Sequence, residues 1–120
     1  MLVVDDNEHG VELLGDSLRA LGYTVDVAFD GPTALQKARS VVPDVVLLDL
    51  GLPVMDGFEL AERLRVDCGL HRVPFIAVSG YAQEVDRQRT ESSGFRGHLA
   101  KPVDVHVVDE MIRKIRAAQT

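Results

Sequence analysis

The chain has 120 residues, a net charge of −6, a sequence pI near 5.1 and 46% hydrophobic residues. That length fits one domain, spanning 1–120, and leaves no room for two; the apolar share supplies a core, and the absence of low-complexity tracts argues against disorder. The acidic balance disfavours direct contact with nucleic acid, no apolar run reaches the roughly 18–20 residues that cross a bilayer, and the lone Cys68 excludes an internal disulfide, in keeping with a reducing cytoplasm.

Apolar runs alternate with helix-period segments from end to end. The first strand is Leu2–Val4, closed at once by Asp5 and Asp6, a pattern unlike a signal peptide. A helix follows over Glu8–Leu21, with Val11, Leu14, Leu18 and Leu21 on one face. Thr24–Phe29 alternates and reads as a half-exposed edge strand, with Val25, Val27 and Phe29 on one side. Asp30-Gly31-Pro32 starts a second helix carrying Ala34, Leu35, Ala38 and Val41, and Pro43 ends it.

The run Asp44–Asp49 is a continuous apolar strand bounded by acids, suited to a central position buried on both faces. Asp56-Gly57 caps a third helix with Phe58, Ala61 and Leu64, and Cys68 falls at its end. Phe75–Val78 is a fourth strand, stopping at Ser79-Gly80. The fourth helix, about Gln83–Ser93, is mostly polar with Val85 as its one strong apolar anchor, and Gly94 ends it. His98–Ala100 forms a short fifth strand before Lys101-Pro102, and Asp104 caps a fifth helix with the stripe Val108, Met111, Ile112 and Ile115. His9, His71 and His106 are scattered without metal spacing and read as surface residues.

Five βα units with right-handed crossovers predict an α/β fold with a parallel sheet. Strands one, three and four look doubly buried and strands two and five look like edges, so the order is 2-1-3-4-5, a doubly wound, flavodoxin-like arrangement with five helices. In such a sheet the strand ends Asp5-Asp6, Asp49, Ser79 and Lys101 share one edge, and ligands bind where the strand order reverses, between strands one and three. Three carboxylates held together must raise a pKa or recruit a cation. Hard oxygen ligands suit Mg²⁺ (or Mn²⁺). With a cation between Asp6 and Asp49, the Asp49 carboxylate could attack phosphorus and form an acyl phosphate, while Ser79 and Lys101 contact phosphoryl oxygens.

The segments Val3–Asn7 (VVDDN), Asp44–Gly57 (DVVLLDLGLPVMDG), Ile76–Tyr81 (IAVSGY) and His98–Asp104 (HLAKPVD) together resemble the receiver domain of response regulators and hybrid sensor histidine kinases, over essentially the whole chain. The resemblance implies that Asp49 is the phosphoacceptor in a two-component phosphorelay. It implies that Asp5 and Asp6 are metal-binding acids, with Asp6 the more direct ligand, and that Gly51 lends a backbone carbonyl. It makes Ser79 the switch hydroxyl and Lys101 the phosphate-pairing lysine, and it implies a cis bond at Lys101–Pro102. The implied partner is a histidine kinase or histidine phosphotransfer domain. An output domain or a homodimer through the face of helices four and five, and a hybrid sensor kinase or stand-alone regulator as parent, complete the expectation; no membrane contact by this domain is expected.

Three departures stand out. The switch hydroxyl is Ser rather than the commoner Thr. His98 occupies a position often held by Tyr or Phe, and either swings as those aromatics do or sits at the edge. Gly51 offers no side chain to shield an acyl phosphate from water, which leaves Tyr81 as the other gate. Competing readings are a phosphorylation-independent docking module, which predicts damage to a site that is intact here, and an enzyme on a related fold. A haloacid-dehalogenase-like phosphatase would want an acid where Gly51 stands, and a flavodoxin a hydroxyl-rich loop in place of Asp5-Asp6-Asn7. Because the fourth helix has so thin an apolar stripe, it is the element expected to shift when Ser79 engages a phosphoryl group.

Overall fold

The computed structural model describes residues 1–80 and 84–119, with only the backbone described for 84–86. Strands β1 (Leu2–Val4), β2 (Asp26–Ala28), β3 (Val46–Asp49), β4 (Phe75–Ser79) and β5 (Gly97–Ala100) alternate with helices α1 (Glu8–Ala20), α2 (Gly31–Ser40), α3 (Gly57–Asp67), α4 (Glu84–Ser92) and α5 (Val105–Gln119). Every strand pair is parallel and the order is β2-β1-β3-β4-β5, as the burial pattern predicts.

Alternate residues of the central strands feed two cores. Leu2, Val4, Val46, Leu48, Phe75 and Ala77 face α2 and α3, where they meet Ala34, Leu35, Leu60 and Leu64. Val3, Leu47, Ile76 and Val78 face α1 and α5, where they meet Val11, Leu18, Val108 and Ile112. Each large apolar side chain fully buried in this way contributes about 1.5–3 kcal/mol. The two-sided burial explains why β1, β3 and β4 carry no polar residue before their last position.

Helix starts follow local chemistry. Asn7, rather than Asp5 or Asp6, caps α1 by accepting from the Gly10 amide, which leaves both acids available. Asp30 caps α2 with Pro32 in its first turn, and Asp56 caps α3 by accepting from the Glu59 amide. Asp104 accepts from the His106 amide at the start of α5. Cys68 is the C-cap of α3, and His9, His71 and His106 are exposed.

Several expectations need correction. Leu21 is exposed, because α1 ends at Ala20 and the chain turns away through Gly22 at φ 101°. Val41 is also exposed: it is the extended C-cap of α2, beyond the buried stripe. In β2, Ala28 on the supposedly outer side is buried, because α2 closes over it. Met111 on α5 is half-buried, packed against its core rather than inside it. The Val85 side chain lies outside the described residues.

Candidate functional site

The carboxyl ends of β1, β3 and β5 bring the acids and the lysine together. Asp49 is the last residue of β3 and only 5% exposed, while Asp5 follows β1 half-buried and Asp6 is exposed. One carboxylate oxygen from each of Asp5, Asp6 and Asp49 lies within 4.8 Å of the others. Lys101 Nζ reaches Asp49 Oδ2 at 3.0 Å and Asp5 Oδ2 at 3.1 Å. The remaining oxygens are also oriented: Asp49 Oδ1 accepts from the Gly51 amide at 2.9 Å and Asp5 Oδ1 from the Asn7 amide at 3.0 Å. Burial pulls the Lys101 ammonium toward a lower pKa, but hydrogen bonds to Asp49 and Asp5 and their charges outweigh it, so its pKa lies above the ordinary lysine value.

The donor set fits a hard divalent cation. Three carboxylates face one ammonium among the described residues, which leaves two negative charges uncompensated. Oxygens on opposite sides of a Mg²⁺ ion sit about 4.2 Å apart, from the usual Mg–O length, so the observed spacing closes around one ion with little movement.

The loop after Asp49 is pinned. Leu52 and Met55 are buried, and Gly57 sits where a Cβ would fall 2.6 Å from Leu50 Cα and 2.7 Å from the Asp49 carbonyl oxygen. Between them the Met55 amide donates to the Pro53 carbonyl at 2.7 Å, a γ-turn centred on Val54. Val54 is fully exposed with φ 69°, a conformation strained for a β-branched residue.

This constellation, on this strand order, matches one family. Residues 1–113 match the family model of the response regulator receiver domain. The chain belongs to that family. Response regulator PleD of Caulobacter vibrioides is 37% identical over 115 residues, which cover 96% of this chain and 25% of PleD, so the chain spans about a quarter of that relative. Polar-differentiation response regulator DivK of Brucella anthropi is 34% identical over 113 residues, 94% of this chain and 92% of DivK. Among solved structures, Vibrio cholerae chemotaxis protein CheY4 superposes with a TM-score of 0.88 at 28% identity, covering 94% of each chain. The receiver domain of the sensor histidine kinase PA1611 from Pseudomonas aeruginosa, described with a magnesium ion coordinated in its active site cleft, superposes with a TM-score of 0.82 at 32% identity, covering 94% of this chain and 93% of that one.

The other side of the receiver site holds what the sequence left open. Ser79 ends β4, pairs in register with Ala100, and accepts the Lys101 amide on its carbonyl at 2.9 Å. The Lys101–Pro102 bond is cis, as expected. His98 does not sit idle at the edge: its Nε2 lies 2.7 Å from Ser79 Oγ and its Nδ1 3.4 Å from Thr90 Oγ1. Thr90, from α4, is 2% exposed and passed unnoticed in the sequence reading. So did Arg89, whose guanidinium lies 3.8 Å from the centre of the Phe58 ring on α3. Among the described residues, the hold on α4 is therefore polar and cationic. No local spacing announces either contact, since both depend on how α4 lies over β5 and α3. Gly51 is exposed beside Asp49, whereas Tyr81, the second expected gate, lies outside the described residues.

Proposed function

We propose that Asp49 is the phosphoacceptor of this receiver domain, taking its phosphoryl group from the phosphohistidine of a histidine kinase or histidine phosphotransfer domain. An Asp49 carboxylate oxygen forms the new bond to phosphorus as the phosphorus–nitrogen bond of the donor breaks, and the electron pair stays with the donor imidazole. Asp5, Asp6, Asp49 and the Gly51 carbonyl would hold Mg²⁺ (or Mn²⁺), as the magnesium-bound PA1611 receiver suggests by likeness. When bound, that ion neutralises the acids and the incoming phosphoryl oxygens. Lys101, a point charge held between Asp49 and Asp5, pairs with a phosphoryl oxygen while staying near Asp5. Ser79 donates its hydroxyl to another phosphoryl oxygen. The site is placed in the cytoplasm, where such donors act, as part of a hybrid sensor kinase or of a stand-alone regulator.

What carries the reading is a nearly buried acid at a central strand end, paired to one lysine and hemmed by two further acids within 4.8 Å. Incubation with Mg²⁺ and a small acyl-phosphate donor tests it by intact mass. The wild type gains one phosphoryl group, chelation abolishes the gain, and Asp49→Ala gains none. Equal labelling of Asp49→Ala would move the acceptor to another residue, and a wild type that stays unlabelled would favour the phosphorylation-independent docking module instead.

A further inference from the structure

Strand β2 ends the sheet, and no strand lies beyond it among the described residues. The backbone groups of successive strand residues face opposite sides of the strand. The Asp26 amide donates to the Met1 carbonyl and the Ala28 carbonyl accepts from the Asp5 amide, so Asp26 and Ala28 turn their bonding groups toward β1. The backbone groups of Val25 and Val27 therefore point out of the sheet. Such a row of outward groups is a template for pairing with another strand.

Two cations reach the outward carbonyls, one from each face of the sheet. Arg19, in the last turn of α1, donates from Nη2 to the Val25 carbonyl at 2.8 Å. Lys37, in the last turn of α2, donates from Nζ to the Val27 carbonyl at 2.5 Å. An acid steers each of them: Arg19 Nη1 pairs with Asp16 at 3.0 Å, and Lys37 Nζ pairs with Asp26 at 3.1 Å. Both helices are already anchored by buried apolar side chains, Leu18 on α1 and Ala34 and Leu35 on α2. Exposed ion pairs of this kind add little to stability, so what the two cations do is better sought in what they cover.

We infer that Arg19 and Lys37 close the β2 edge against strand addition by a second copy of this chain, with Asp26 as a third guard. The partner follows from the strand's own pattern. Two β2 edges meeting antiparallel about a two-fold axis at Asp26 would set Val25 opposite Val27 of the copy, and each such pair would exchange both of its backbone bonds. The acceptors that this pairing needs are the two carbonyls now held by cations. Each long side chain also fills the space in front of the edge. The same geometry sets Asp26 directly opposite its own copy, where like charges repel. The inference stands apart from the reading of Asp49 as acceptor.

The test compares the wild type with a chain carrying Arg19→Met, Asp26→Asn and Lys37→Met together. Methionine keeps an aliphatic stem over the strand and removes the donor. Sedimentation equilibrium up to millimolar protein should show the triple variant rising toward twice the monomer mass. In NMR its Val25 and Val27 amides should exchange with solvent more slowly as concentration rises. Asp26→Asn alone, and the charge-keeping pair Arg19→Lys with Lys37→Arg, should each associate no more than the wild type. The wild type gives a reading that no variant's folding can disturb: the Lys37 ammonium and the Arg19 guanidinium should show couplings through their hydrogen bonds to the carbonyl carbons of Val27 and Val25. A folded triple variant that associates no more than the wild type overturns the inference and leaves the cations as helix anchors only. Association that leaves the Val25 and Val27 amides unchanged overturns it too, as does association of Asp26→Asn alone beyond that of the wild type, or a wild type without either coupling.

Discussion

The helices that follow the last two strands are held by different physics. Helix α5 lays Val108, Ile112 and Ile115 into the core against β1, β3 and β4. Helix α4 shows one buried side chain among those described, the hydroxyl of Thr90, with Arg89 stacked on Phe58 from outside. Three buried aliphatic side chains contribute about 1.5–3 kcal/mol each, whereas a stacked exposed arginine contributes about 0.5–1 kcal/mol. The site straddles this divide. Asp5, Asp49 and Lys101 are fixed to one another by ion pairs and backbone amides, while Ser79 is tied through His98 to the weakly held helix. A switch built this way can keep its chemistry in place while a neighbouring element moves.

The strongest way to sharpen the contrast is Lys101→Met. Removing a preorganised charge aimed at transferred oxygens lowers rates by about 10²–10³-fold, so labelling by a small phosphodonor should fall by that order. Arg89→Ala, on the movable side, should leave the labelling rate unchanged. Equal losses in both variants would erase the distinction between the two halves.

Stability should divide along the same line. Ile112→Ala leaves a cavity in the α5 core and should lower unfolding free energy by about 2–5 kcal/mol, read from urea midpoints. Arg89→Ala should lower it by no more than about 1 kcal/mol. Glycines repeat the pattern more weakly. Gly57→Ala drives a methyl into the Leu50 and Asp49 backbone and should cost about 1–3 kcal/mol. Gly80→Ala meets nothing within 4 Å among the described residues and should be nearly neutral.

Much of the fixed half was legible in the sequence. A parallel sheet forces every strand to end on one edge, so the polar residue that closes each apolar run declares the site: Asp5, Asp49, Ser79, Lys101. Strand order followed from which runs lacked any polar position. Two of the misreadings lie at helix ends, where Leu21 and Val41 continue an apolar spacing past the point at which the backbone leaves the helix. The movable half was scarcely legible. Thr90 and Arg89 look like ordinary surface residues of a polar helix; in the fixed half, the strained turn at Val54 was equally hidden, since it carries none of the glycine or asparagine that signals positive φ. Such contacts arise from tertiary placement, which no local period encodes.

The smallest expected effect lies beside α5. The Tyr23 hydroxyl donates to Asp109 Oδ1 at 2.5 Å. Burial first, then this bond and the Asp109 charge, raise the Tyr23 pKa above its ordinary value. A raised folded pKa means the associated stability is fully present below the unfolded tyrosine value, near 10, and is lost as pH rises through the folded value. Spectrophotometric titration should show one phenol ionising late, and Tyr23→Phe should remove that late step. An ordinary titration for Tyr23 would contradict the assigned contact.

The central claim, that Asp49 carries the phosphoryl group, is tested most directly by localising the modification. Borohydride reduces an acyl phosphate to the corresponding alcohol, and peptide mapping by mass spectrometry after labelling should find homoserine at position 49 alone. Reduction at Asp5 or Asp6, or a stable phosphate ester on Ser79 with residue 49 untouched, would contradict the account.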